Sequence, residues 1–248
     1  MKKSVLITGA SSGIGEATAF KFSEQGYHCV LHGRDQTRLG TLSSKLPSSE
    51  ILTLDLSKSD NVANELKTLL SKQDLSIECL VNNAGTFETG EFTSTPISSW
   101  KHTFEVNLFS LVAVTQEVAK YFRTRGIKGN IINVSSTLSY KGSPGTTAYS
   151  ASKAALNNLT LALANELGTL GIRVNAVSPG LVDTPIHSFH GLEKEAKNKV
   201  LEKMGSLQPL GRIGTPGEIA EAIYFLASPA SAWTTGTIIN VDGGINIK

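Results

Sequence analysis

Short apolar runs recur along the chain at intervals too long for hairpins. They are Val5-Leu6-Ile7, Cys29-Val30-Leu31, Ile51-Leu52-Thr53-Leu54, Leu80-Val81, Ile131-Ile132-Asn133-Val134, Val174-Asn175-Ala176-Val177 and Ile238-Ile239-Asn240-Val241. Such runs lack the polar alternation of a half-exposed strand and suit strands buried on both faces. The stretches between them are long enough for crossover helices, which makes the sheet parallel with right-handed connections. The pattern predicts an α/β fold, a doubly wound parallel sheet flanked by helices on both faces. No Pro/Ser-rich linker or charge run divides residues 1–248, so one domain is expected. Ligands of such sheets lie beyond the carboxyl ends of the strands, which directs attention to the loops that follow strands.

Two helical patterns add to this. Leu192, Ala196, Val200 and Met204 recur every four residues, with Glu193, Lys194, Glu195, Lys197 and Lys199 largely on other faces. This predicts an amphipathic helix within residues 185–207 that closes over the site as a lid. A helix expected from about Tyr149 to Leu167 offers Ala155, Leu159, Leu163 and Leu167 beside Ala151 and Ala162. That is more apolar surface than one sheet face needs, and it points to a subunit contact.

The first loop is rich in glycine. Val5-Leu6-Ile7 runs into Thr8-Gly9-Ala10-Ser11-Ser12-Gly13-Ile14-Gly15, and a helix is expected from about Glu16 to Gln25. Gly9 permits a tight turn, Gly13 a close approach of backbone to ligand, and Gly15 removes a side chain where helix meets sheet. The free N–H groups and positive end of the helix then face a pyrophosphate, so this Rossmann-like unit is expected to bind a dinucleotide.

The end of the second strand, Leu31-His32-Gly33-Arg34-Asp35, bears on which dinucleotide. A carboxylate is usual there for the ribose 2′-hydroxyl of NAD. Gly33 leaves room for a 2′-phosphate and Arg34 can bind one with two hydrogen bonds, so NADP(H) is expected in preference to NAD(H). Asp35 either caps the following helix or, with a different turn, takes the ribose itself.

Composition narrows the classes. Among 248 residues the formal net charge is +2 and basic residues are scattered, which gives no footprint for nucleic acid. No apolar run approaches the roughly 20 residues that span a bilayer, and no signal-peptide core precedes the first strand, so a cytoplasmic protein without membrane contact is expected. Cys29 and Cys79 lie in strand patterns and read as small buried residues, and the five histidines show no metal-ligand spacing.

Tyr149-Ser150-Ala151-Ser152-Lys153 places a phenol and an ammonium one helical turn apart on the same face. A nearby cation favours phenolate and lowers the Tyr pKa from about 10 toward working pH, where a general acid or base is most effective. Loops after the other strands carry Asp55, Asn82-Asn83-Ala84-Gly85, Ser135-Ser136 and Ser178-Pro179-Gly180-Leu181-Val182-Asp183-Thr184, and Asn107 stands in the helix after the fourth strand.

With Val241-Asp242-Gly243-Gly244 near the C-terminus, these motifs resemble the short-chain dehydrogenase/reductase superfamily over essentially the whole chain. The resemblance implies that Tyr149 protonates a carbonyl oxygen as hydride arrives from nicotinamide, with reversed roles in alcohol oxidation. It implies that Lys153 lowers the Tyr149 pKa and bonds the nicotinamide ribose, and that Ser136 holds the substrate oxygen. Asn107 would kink its helix and hold a water that links Lys153 to solvent. Asp55 with Leu56 would meet the adenine, Asn83, Ala84 and Gly85 the adenosine ribose, and Pro179, Gly180, Val182 and Thr184 the nicotinamide carboxamide.

Leu138, Gly145 and His187 are expected to wall the substrate pocket, with Thr86, Phe87, Glu88, Ser139 and Thr146 nearby. The expected substrate is a small, moderately apolar carbonyl or alcohol compound, and a homotetramer is expected. The chain is similar overall to 3-oxoacyl-acyl-carrier-protein reductases, which makes that activity an alternative. Leu170, and Ile127 flanked by Arg125 and Lys128, stand where that family carries carrier-docking arginines, which makes reduction of a free carbonyl compound or a coenzyme A thioester a comparable expectation. A dinucleotide-binding sensor or scaffold without catalysis is the remaining alternative, and the intact Asn107, Ser136, Tyr149 and Lys153 set argues against it.

Overall fold

The computed structural model describes residues 1–187 and 192–247. Seven strands, β1 (Lys2–Ile7), β2 (His28–His32), β3 (Ser49–Leu52), β4 (Leu75–Asn82), β5 (Asn130–Val134), β6 (Arg173–Pro179) and β7 (Ile238–Val241), form one sheet in the order β3-β2-β1-β4-β5-β6-β7. Every neighbouring pair is parallel. The chain winds outward from β1 to β3, then returns to start again at β4, so the strand order reverses between β1 and β4. A crevice opens there at the carboxyl ends of the strands.

Successive strand residues point to opposite faces and both faces are covered. Val5, Ile7, Leu31, Val81 and Ile132 pack with Phe22, Leu39, Ile219 and Ile223 of α1 (Gly13–Glu24), α2 (Gln36–Ser43) and α8 (Pro216–Ala227). Leu6, Val30, Leu80, Ile131 and Val174 pack with Val62, Val118, Phe122 and Leu167 of α3 (Ser59–Leu70), α5 (Ser110–Arg125) and α6 (Thr147–Gly168). This two-sided burial is the reason the strands read as continuous apolar runs.

The central strands also carry amides. Asn82 Nδ2 donates to Thr115 Oγ1 at 3.0 Å and to Asn133 Oδ1 at 2.9 Å, and Asn133 Nδ2 donates to Thr160 Oγ1 at 2.9 Å. The ladder ties β4 and β5 to α5 and α6. On the outer side Arg173 donates to the carbonyls of Leu226, Ser228 and Thr234 and to Ser231 Oγ, which closes the C-terminal end of α8. Arg173→Met would strip these acceptors of a charged donor. It is expected to lower the unfolding free energy by about 2 to 4 kcal/mol, measured by urea denaturation.

Strands β1, β2, β4, β5 and β6 extend beyond their apolar runs, β4 most of all, and three further elements differ from the pattern in the sequence. Helix α1 begins at Gly13 rather than Glu16, because Gly13, Ile14 and Gly15 form its first turn. Strand β3 covers 49–52 rather than 51–54, since its pairing ends with Leu52 opposite His32 and the Leu54 carbonyl instead meets His32 Nε2 at 3.0 Å. In the expected lid, α7 spans Lys194–Gly205, but Leu192 and Ala196 are exposed while Val200 and Met204 are partly buried. Residues 188–191 of that segment lie outside the described residues. Among the described residues no helix is long and apolar enough to cross a membrane.

Candidate active site

The glycine turn between β1 and α1 is shaped by what its residues lack. Gly9 and Gly13 adopt φ of 67° and 58°, in the left-handed region that penalises a side chain. A Cβ on Gly15 would lie 2.2 Å from the Gly9 carbonyl oxygen. Ser12 occupies the N-cap position of α1 without a side-chain capping bond, so the helix keeps its N-terminal N–H groups for a ligand. A Cβ on Gly13 would meet Thr184 at 3.2 Å, which brings Ser11, Ser12, Gly13 and Ile14 against the loop after β6. This cradle fits a dinucleotide pyrophosphate.

Neighbouring loops hold the turn in place. Thr8 Oγ1 accepts from the backbone N–H groups of Asn83 and Ala84 at 3.0 Å, and Asn83 Nδ2 donates to the carbonyls of Thr8 and Gly9 at 3.0 Å. Asn83 therefore spends its amide on the glycine turn. His32, which the sequence reading did not single out, bridges the glycine turn and the segment after β3. Its Nδ1 accepts from the Gly9 N–H at 3.4 Å, so Nε2 carries the proton and donates to Leu54, just before Asp55. Burial holds its pKa below the usual histidine range, in keeping with a neutral ring. A histidine interrupting an apolar strand just before Gly33 was the available signal.

Asp55 is set by Ser57, whose N–H and hydroxyl both donate to Oδ1, and these bonds lower its pKa. Leu56 is buried beside it. At the end of β2, Asp35 caps α2, with Oδ1 accepting from the Arg38 N–H at 3.0 Å and Oδ2 lying 3.3 Å from Arg38 Nε. Arg34 is exposed and Gly33 buried beneath it. On the far side, a Cβ on Gly180 would lie 2.7 Å from Asp242 Cα, so the Pro179-Gly180 loop rests on Val241-Asp242-Gly243-Gly244. Val182 and Thr184 are buried in this loop, and Asp183 pairs with Lys197 of α7 at 3.2 Å.

Tyr149, Lys153, Ser136 and Asn107 converge in the crevice. Tyr149 and Lys153 lie one turn apart on α6, and the Lys153 Nζ sits 5.7 Å from the Tyr149 ring centre. Lys153 Nζ donates to the Val134 carbonyl at the end of β5 at 2.8 Å. Ser136 Oγ accepts from the Leu138 N–H at 3.2 Å and lies near enough to the Tyr149 phenol to favour its ionised form. With Leu138 supplying that donor, the Ser136 proton is available to the phenol or to a substrate oxygen.

Asn107 sits in a π-helical turn, Glu105–Phe109, between α4 (Ile97–Phe104) and α5, where the Ser110 N–H reaches back five residues to the Glu105 carbonyl. The regular α-helical ladder is thus interrupted by a π-turn at Asn107. Asn107 Oδ1 accepts from the Thr86 N–H at 2.8 Å, and its Nδ2 donates to the Thr86 carbonyl at 3.0 Å and to Ser152 Oγ at 3.2 Å. Gly85 keeps space between Asn107 and Lys153, since its Cβ would lie 3.3 Å from Asn107 Oδ1 and 3.8 Å from Lys153 Nζ.

Burial dominates the electrostatics. It pushes the Tyr149 phenol up to about 12, against a lowering by the nearby Ser136 hydroxyl, and pulls the Lys153 ammonium down to about 8. The expectation that Lys153 depresses the phenol is therefore not met, because both groups lose water. The Tyr149 ring keeps part of its surface on the cleft, where solvent moderates its shift. At pH 7 the phenol is the neutral, proton-donating form and the lysine is largely charged.

Phe87 packs edge-on against the Tyr149 ring at 4.8 Å and against His187 at 5.9 Å, so Phe87 and His187 form one wall beside the phenol. Leu138 and Gly145 follow β5 in the chain, and the Gly145 carbonyl accepts from the Gly90 N–H at 2.9 Å. Among the described residues no group of His, Cys, Asp or Glu could hold a metal ion.

A family described as enoyl-(acyl carrier protein) reductase matches residues 9–246. The sequence is 36% identical over 249 residues to a 3-oxoacyl-acyl-carrier-protein reductase FabG of Thermotoga maritima, covering 99% of this chain and 98% of that protein. The chain is a short-chain dehydrogenase/reductase. It is thereby an oxidoreductase of CH–OH and C=O groups. Two solved structures superpose closely. Aldohexose dehydrogenase of Thermoplasma acidophilum, in ligand-free form, gives a TM-score of 0.90 at 30% identity, with 100% of this chain and 95% of that one covered. ElxO with NADP bound gives 0.89 at 29% identity, with 100% of both chains covered.

Proposed function

We propose that this short-chain dehydrogenase/reductase reduces a small carbonyl compound, or oxidises the corresponding secondary alcohol, with NADP(H) and with Tyr149 as general acid and base. The observation that carries this reading is the Tyr149–Lys153 pair one turn apart on α6, Nζ 5.7 Å from the ring centre, with Ser136 close by and an uncapped glycine turn alongside. A bound nicotinamide would supply or accept the hydride. Ser11, Ser12, Gly13 and Ile14 would hold the pyrophosphate, Asp55 and Leu56 the adenine, Ala84 and Gly85 the adenosine ribose, and Pro179, Gly180, Val182 and Thr184 the carboxamide.

The chain's own residues then move one proton. Ser136 donates to the substrate oxygen and fixes it beside the phenol. Tyr149 gives its proton to that oxygen as the carbinol forms, and Lys153 stabilises the phenolate left behind. Reduction needs both Tyr149 and Lys153 protonated, so its kcat/KM is expected to hold below pH 8 and to fall above it as Lys153 loses its proton. Oxidation needs the phenolate and is expected to rise with pH. A reduction rate that stays level from pH 7 to about 10 would contradict this assignment.

NADP(H) preference rests on the diversion of Asp35 to the α2 cap and on the exposure of Arg34 at the end of β2. Arg34→Ala is expected to raise the KM for NADPH about tenfold and to leave that for NADH unchanged. Equal use of NADH by the wild type would refute the preference. The overall test is the initial rate of NADPH and NADH consumption with acetoacetyl-coenzyme A, small ketones, aldehydes and aldoses.

A second reading, reduction of carrier-bound 3-oxoacyl groups, is favoured by the Thermotoga maritima relative. The exposed Leu170 supplies no cation for an acidic carrier, which weighs for free substrates, and a faster rate with carrier-bound than with coenzyme A thioester would reverse that choice. We also propose a homotetramer assembled partly through α6, on which Leu161 is 46% exposed and Ala155, Leu159 and Leu163 are partly so. A monomeric mass by light scattering would refute it. The lid role of residues 185–207 is part of the same reading, anchored by the Asp183–Lys197 pair. The free, buried thiols of Cys29 and Cys79 suit a reducing compartment, hence the cytoplasm.

A further inference from the structure

Ser136 stands in a loop past the end of β5, where the last ladder contact is the Ser135 N–H to the Val177 carbonyl at 2.8 Å. Beyond that point three side chains form a one-way relay. Ser135 Oγ donates to Asn157 Oδ1 at 2.6 Å, Asn157 Nδ2 donates to Ser139 Oγ at 2.7 Å, and Ser139 Oγ donates to the Ser136 carbonyl at 2.5 Å. The relay starts on the residue before Ser136 and ends on Ser136 itself. Both sides of the loop are therefore tied to one amide.

That amide comes from the catalytic helix. Asn157 follows Lys153 by one turn, as Lys153 follows Tyr149, so all three project from one face of α6. Ser135 and Asn157 are 3% and 8% exposed, which shields the relay from water, and Ser139 is partly buried at its outer end. The carbonyl and amine ends of Asn157 are both used, each in the only direction its chemistry allows. A leucine of similar size would leave the Ser135 and Ser139 hydroxyls to seek other partners and free the loop to shift.

We propose that Asn157 is a positioning residue for the reaction: it locks the 135–139 loop to α6 and thereby sets the distance of the Ser136 hydroxyl from the Tyr149 phenol. This rests on the reading of Ser136 as the group that holds the substrate oxygen. Misplacement of a reacting group by about 1 Å can cost about a hundredfold in rate.

The test is a double-mutant cycle of Asn157→Leu with Ser136→Ala, read as kcat for carbonyl reduction, together with NADPH binding by fluorescence. Asn157→Leu is expected to lower kcat about tenfold to a hundredfold with NADPH affinity unchanged, and to add no further loss in the Ser136→Ala background. Ser139→Ala breaks the same relay at its outer end, where folding is not at stake, and is expected to give a several-fold loss that also vanishes in that background. Losses that multiply with that of Ser136→Ala, or full rates in both Asn157→Leu and Ser139→Ala, would overturn the inference and leave Ser136 in its role. A full rate in Ser136→Ala would overturn the reading of the site, and the positioning role with it.

Discussion

Tyr149→Phe is expected to lower kcat for carbonyl reduction by about 10²- to 10⁴-fold, the range spanned by a positioned general acid, with NADPH binding unchanged. The substitution removes one oxygen and keeps the ring, so the edge-on contact with Phe87 and the packing of α6 persist. What goes is the proton donor beside Ser136. Burial has already set the phenol in its neutral form, so no other group at that position can supply the proton, and Lys153 is turned toward the Val134 carbonyl. Steady-state kinetics with both NADPH and substrate varied separates the outcomes. A rise in substrate KM at constant kcat would assign Tyr149 to binding alone.

Gly15→Ala is expected to be the most damaging change to cofactor binding. Its Cβ would lie 2.2 Å from the Gly9 carbonyl oxygen and 2.6 Å from Asn83 Nδ2, and the first of these is backbone that cannot rotate away. Either α1 shifts off the sheet or the glycine turn opens. Both dismantle the cradle, because Asn83 also bonds the Thr8 and Gly9 carbonyls. Overpacking of this kind costs about 3 kcal/mol, which corresponds to NADPH binding weaker by about a hundredfold, or to an equal loss of stability. NADPH titration and urea denaturation on the same sample apportion the two. Wild-type values in both would mean that the turn is not the close-packed element described.

Much of the fold was legible because the sheet is buried on both faces. The Val5-Leu6-Ile7, Ile131–Val134 and Val174–Val177 runs mark strands directly, and only their edges moved. The edges moved where polar contacts outside the pattern decide. His32 draws the Leu54 carbonyl out of β3, and the first turn of α1 includes glycines that propensity would leave in the loop. The Tyr149, Lys153, Ser136 and Asn107 set was legible from spacing and resemblance, and the structure brings all four to one crevice.

Long-range side-chain contacts were not legible. Asn157 reads as an ordinary helical polar residue until the 135–139 loop is folded against it, and the diversion of Asn83 to the glycine turn spans more than seventy residues of sequence. The lid stripe misled in the other direction. Four-residue spacing from Leu192 to Met204 predicts an apolar face, and a helix is present, but half of that face lies open to solvent.

The most direct measurement is the fate of hydrogen from NADPH deuterated at C4 of the nicotinamide, in each of its two stereochemical forms, during incubation with a carbonyl substrate. The account predicts one deuterium on the carbinol carbon of the product, from one stereochemical form only, and none with Tyr149→Phe on the same timescale. NADPH that binds without transferring deuterium to any ketone, aldehyde or 3-oxoacyl thioester, or transfer that continues undiminished in Tyr149→Phe, would contradict it.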